Sequence, residues 1–129
     1  EDFEVTGRIG NYLLVDERNQ KICILNNRMT AGQVSDPEFY DVGEIEECRL
    51  VCQPVMKLEE LEEKVKRRAE GNMNTLKVAV RLKNGKKKEI VLISKPVRIK
   101  SYAFRQSFHF ANRIADEIHR LMDECAKME

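Results

Sequence analysis

The 129 residues carry 23 Lys and Arg against 22 Asp and Glu, a net charge of +1, so no global field draws the chain to nucleic acid or membrane. Any electrostatic function is therefore local. The length supports one domain, residues 1–129, whose apolar core needs neither disulfide nor metal, and no apolar run approaches the roughly 20 residues that span a bilayer. No charged-then-apolar leader is present, and a start at Glu1 instead of Met reads as an excised part of a longer protein.

The first half reads as short strands. "FEVTG" alternates Phe3, Val5 and Gly7. Tyr12 to Val15 and Lys21 to Leu25 bracket the polar stretch Asp16-Glu17-Arg18-Asn19-Gln20, which predicts a hairpin. From Asn26 to Gly43 the breakers Gly32, Asp36-Pro37 and Asp41 predict irregular chain. "EIEECRLVCQ" resumes strand alternation and stops before Pro54, which cannot donate to a sheet ladder. Within it, Cys48 and Cys52 lie about 13 Å apart along one strand face, too far for a disulfide or a shared zinc. With Cys23 and Cys125 they fit reduced thiols in a cytoplasmic protein.

"KLEELEEKVKRRAEGN" changes period. Leu58, Leu61, Val65 and Ala69 recur at helical spacing, with glutamates early and Lys66, Arg67 and Arg68 late, as a helix dipole favours. Glu60–Lys64, Glu62–Lys66 and Glu63–Arg67 are spaced for i,i+4 pairs, and Gly71-Asn72 supplies a stop. The expectation is a short helical insertion, about 57–70, lying on a sheet. A partner-binding or coiled-coil role is the minority alternative, since the stripe lasts under three heptads.

"TLKVAVRLKNGKKKEIVLI" returns to strands around Asn84-Gly85. A two-residue loop would set Val80 against Glu89, whereas a loop that includes Lys86 sets Val80 against Ile90 and Arg81 against Glu89. The hydrophobic pattern favours the second and Asn-Gly chemistry the first, so a bulge is expected. Lys83, Lys86, Lys87 and Lys88 cluster at this tip and are the candidate anion-binding residues, for lipid or other phosphates. No aromatic residue stands among them to stack on bases, which argues against nucleic acid. A lysine-rich turn that keeps a sheet edge soluble is the simpler account.

Ser101 is placed to cap a final helix. Phe104, Phe108, Ala111, Ile114, Ala115, Ile118, Leu121, Met122 and Cys125 trace one wide apolar face from Tyr102 onward. Phe110 falls about 200° around the helix from Phe108 and would point outward, a candidate contact surface for a protein partner or a second copy. His109 and His119 are about 15 Å apart along the helix and cannot form a dyad. Asp116, His119 and Asp123 share a face, but a solvated helix face explains them without a metal. No catalytic, metal or cofactor motif emerges.

The strand, acidic turn and strand of "GNYLLVDERNQKICI", the lead-in "FYDVGEIEEC" and the closing helix "YAFRQSFHFANRIADEIHRLM" resemble a bacterial group of pleckstrin-homology-like domains of unknown function. Members of that group are often found beside zinc ribbons or short oligomerisation motifs. The resemblance covers most of the chain outside the 57–72 insertion. It implies an α+β fold, a curved antiparallel sheet or partial barrel capped by one long C-terminal helix. It also implies a non-catalytic binding or assembly module that works through protein–protein interaction; the alternative, anionic lipid or phosphate binding at 83–88, rests on the lysine cluster and not on the resemblance.

Overall fold

Alternation of buried and exposed side chains builds two antiparallel sheets, and one amphipathic helix closes over them. A computed structural model describes residues 3–25 and 37–127. The first sheet has the order β1 (Gly7–Ile9), β2 (Leu13–Asp16), β3 (Lys21–Ile24), β4 (Glu38–Asp41). A single 3-10 turn, Val42–Glu44, leads into β5 (Ile45–Gln53). The helix α1 (Leu58–Lys66) and β6 (Asn72–Met73) follow. Then come β7 (Thr75–Leu82), β8 (Lys87–Ile93), β9 (Val97–Arg98) and the helix α2 (Tyr102–Lys127). The second sheet runs β5-β7-β8, and β6 pairs with β9 as a small ribbon. The class is thus α+β: open antiparallel sheets, one long C-terminal helix and one short inserted helix.

The long helix starts where Ser101 was expected to cap it, the Phe104 N–H donating to Ser101 Oγ at 3.1 Å. Its apolar face, from Phe104 through Leu121, is buried together with Leu13, Ile22, Ile24, Leu76 and Val78 of the sheets. The same helix seals the edge of β5: His119 Nε2 lies 2.6 Å from the Cys48 carbonyl. A carbonyl only accepts, so this nitrogen carries the proton.

Several expectations need correction. The first strand is Gly7–Ile9, not "FEVTG"; Val5 is exposed, and before the strand the Thr6 N–H and hydroxyl both donate to Val15 O, at 2.8 and 3.2 Å. Part of the supposedly irregular 26–43 stretch is β4, paired with β3 through Cys23↔Phe39 and Ile22↔Tyr40. Residues 26–36 lie outside the described residues. In α1 only Leu61 is buried and Leu58 is exposed, so the stripe is narrower than its spacing suggests. None of the three i,i+4 pairs is an ion pair, as expected of long exposed side chains whose ordering entropy offsets a screened attraction.

Nor does Gly71 stop that helix. Arg68 does so at φ +51°, with its N–H on Val65 O (3.2 Å) and the Ala69 N–H on Lys64 O (2.9 Å), a Schellman arrangement. An L side chain is strained in this region, and Arg68 is exposed. Arg68→Gly is therefore expected to stabilise the protein by roughly 0.5–1 kcal/mol, read as a higher midpoint in urea at unchanged slope.

The hairpin register differs from both paper alignments. The loop is Lys83-Asn84-Gly85: the Gly85 N–H donates to Leu82 O (2.9 Å), the Leu82 N–H donates to Lys86 O (2.8 Å), and Gly85 takes φ +91°. This is a three-residue hairpin with glycine in the left-handed third position. It sets Val80 against Lys88, Ala79 against Glu89 and Val78 against Ile90, with a further register shift next to Leu76↔Ile93. The first alignment failed because the loop has three residues and not two, and the second because it required every core-side position of β8 to be apolar. Lys88 occupies one, its stem shielded and its ammonium 2.9 Å from Glu38 Oε2 on β4.

Candidate binding surface

The four lysines of the tip do not form one patch. Lys88 turns to the core side of the hairpin, where Glu38 and then Tyr40 hold its ammonium charged and raise its pKa. It is engaged, and its place in the proposed anion site is withdrawn. Lys83 anchors the loop through its N–H to Glu44 O (2.8 Å) and borders a groove of about 220 Å3 beside Met122 and Cys125 at the end of α2. Lys86 stays at the tip, its N–H bonded to Asn84 Oδ1 at 2.9 Å. Lys87 projects onto the outer face of the second sheet.

That outer face holds the arrangement the lysine motif by itself did not indicate. Strand alternation and the observed registers stack two rows across β5, β7 and β8: Glu47-Arg81-Lys87 and Arg49-Ala79-Glu89. Ala79 is the small member, and the side chains around it rise above it, leaving an open trough of about 200 Å3. Arg81 pairs with Glu47 at 2.9 Å and Glu46 at 3.3 Å, not with Glu89 as the sequence suggested. Glu89 is taken by Lys77 at 3.1 Å. Among the described residues, Arg49 and Lys87 line this trough without an ionic partner. Lys87 was among the tip lysines that the sequence singled out, whereas Arg49 was not. The available signal was the alternation of β5, which puts Arg49 on the face opposite Cys48 and Cys52.

Phe110 is not an exposed contact residue. It is partly buried and packs against the core, with the β1–β2 turn folded over its ring. Its ring lies 5.8 Å from that of Tyr12, and a Cβ on Gly10 (φ +49°) would stand 3.2 Å from Phe110 Cε1. Glycine at position 10 thus permits both the turn and the close approach of the ring. Among the described residues, the exposed large apolar side chains are elsewhere: Phe39, edge-on to Phe3 at 5.2 Å, with Val5, Val55, Leu58 and Tyr102.

Several other ionisable groups are tied into structural bonds. Arg120 joins the β2–β3 turn to α2, reaching both oxygens of Glu17 (3.0 and 3.2 Å) as well as Glu117 and Glu124. The Arg120 hydrogen bonds and charge hold the Glu17 carboxyl below its usual pKa. Burial, with Glu47 adding to it, pushes the Cys48 thiol up to about 12, so it stays protonated and unreactive. Cys23, Cys48, Cys52 and Cys125 are all free thiols. Among the described residues, no three His, Cys, Asp or Glu side chains stand together as a metal cluster. No described helix is long and apolar enough to cross a membrane.

Compared with protein-family models, with curated proteins and with solved structures, the chain matches none.

Proposed function

We propose that this chain is a pleckstrin-homology-like, non-catalytic binding module of a bacterial cytoplasmic protein, and that it engages a protein partner through the outer face of the β5-β7-β8 sheet. The observation that carries this reading is the trough over Ala79, where, among the described residues, Arg49 and Lys87 stand without ionic partners while the other two cations lining it, Lys77 and Arg81, are paired. Support for the fold resemblance comes from the element order: four strands in one sheet, three in a second, and one closing helix. The engagement of His119, Asp16 and Arg120 in structural bonds supports a binding role over catalysis.

The test is affinity capture from extract of the native host, comparing wild type with Arg49→Glu/Lys87→Glu, followed by rebinding of the identified partner in purified form. A partner retained by wild type and lost by the variant is the expected result. Equal recovery on both proteins would remove this face from the reading. A second reading, anionic-lipid binding by Lys83, Lys86 and Lys87, is favoured by their exposure around one turn. It requires salt-sensitive sedimentation with phosphatidylserine vesicles and none with neutral ones.

A further inference from the structure

We infer that the occupant of the Ala79 trough is an acidic peptide segment, bound across the sheet with two carboxylates about 12 Å apart. The inference rests on the binding reading above and narrows it to one partner chemistry. Arg49 lies on β5 and Lys87 on β8, two strand spacings apart and two residues apart along the strands. Strand geometry converts this offset to about 12 Å, the span of three to four extended residues.

The two cations differ in what they recognise. The planar guanidinium of Arg49 matches a carboxylate through two parallel N–H donors, while Lys87 presents a point charge. Between them Ala79 leaves room for backbone to approach the sheet, with Arg49 on one side and Glu89 on the other in its own row. The two walls are preset, since Lys77–Glu89 and Arg81–Glu47 already hold their side chains.

Charge pattern separates this occupant from other anions. Glu46, Glu47 and Glu89 share the face with the cations, so a uniformly negative surface such as a bilayer would meet repulsion at three points. A peptide can place a carboxylate at each free cation and leave neutral or basic residues opposite those glutamates. The outward rows contain no aromatic side chain to stack on a base, which disfavours single-stranded nucleic acid.

The experiment is a titration of the isotope-labelled chain, followed by amide NMR, with a flexible Gly/Ser peptide carrying two glutamates four residues apart. The same peptide with glutamine is the control. Shifts are expected on the outward positions of β5, β7 and β8, with binding about tenfold weaker in Arg49→Gln/Lys87→Gln and absent for the glutamine peptide. Ala79→Gln, which fills the trough floor without touching a charge, is expected to weaken binding as well, and it serves as the readout if the double variant alters the melting curve. Equal binding by wild type and both variants, or shifts centred elsewhere, would overturn the inference. So would phosphatidylserine vesicles binding where the peptide does not, which would assign the face to membrane. If the peptide fails while the charge-reversal variant still loses its captured partner, this inference falls and the broader reading stands. Failure of both removes both.

Discussion

Replacing Phe104 with alanine is expected to destabilise the protein by roughly 3–5 kcal/mol, the range for deleting a buried aromatic ring without collapse of the site. Phe104 is fully buried in the first turn of α2, its ring parallel to Phe108 at 6.0 Å between centroids. Its backbone N–H is also the donor that Ser101 Oγ caps, so the backbone is fixed while the side chain carries the packing. The substitution leaves that cap intact and removes only the ring, which makes the cost a measure of burial. Urea unfolding at unchanged slope is the readout. Tyr102→Ala, two residues earlier and two-thirds exposed, is the control and should cost under about 1 kcal/mol. Similar losses at both positions would mean that the helix does not seat on the sheets through Phe104.

The second large effect is at Asp16, the one fully buried charged side chain among the described residues. Its carboxylate accepts from the Glu4 N–H (2.9 Å), the Asn19 N–H (3.0 Å) and Asn19 Nδ2 (2.8 Å). It therefore ties the leading segment and the β2–β3 turn to one point. Burial alone would raise its pKa, but these donors, with Lys21 adding a favourable charge, outweigh burial and hold it below the ordinary aspartate value. Asp16→Ala leaves the donors without their acceptor, and a fall in melting temperature of roughly 5–10 °C is expected. Asp16→Asn should not rescue, because its amide would bring a donor to a site already ringed by donors.

The pH dependence follows from the direction of the shift. A carboxyl with a depressed folded-state pKa contributes stability that is fully present above its unfolded pKa. That contribution is lost as pH falls through the ordinary carboxylate range toward the lower folded value. Glu17, held low by Arg120, acts in the same direction. Wild type should therefore lose stability between neutral pH and about pH 3 more steeply than Asp16→Ala. Parallel pH profiles for the two proteins would show that Asp16 is not ionised and bonded as described.

Much of the fold was legible because its signals are local and periodic. The long helix, its Ser101 cap, the hairpin around Asp16 to Gln20 and the alternation of β5 and β7 each follow from residues within one or two turns or strand steps. The missed strand β4 is short and sits among breakers, and its hydrogen-bond partners come from β3, so nothing local announced it. The helix stop at Arg68 was missed because a left-handed arginine is a strained choice that only the surrounding bonds sustain.

The candidate site was less legible than the fold. Four lysines adjacent in sequence looked like one motif, yet a hairpin register and a neighbouring sheet send them to different surfaces. Lys88 in particular depends on Glu38, fifty residues away in sequence. Phe110 was expected to face outward from its helix, but it packs against the core beneath the turn at Gly10.

Composition, period and capping were enough for the class and the core face of the long helix, because backbone geometry repeats every two or 3.6 residues. The pairing register, the pairings of Lys88 and Arg81 and the placing of Arg49 and Lys87 on one face around Ala79 were settled only in three dimensions. Each depends on which residues from distant strands stand opposite one another. A one-residue shift in that alignment exchanges the inner and outer faces of a strand.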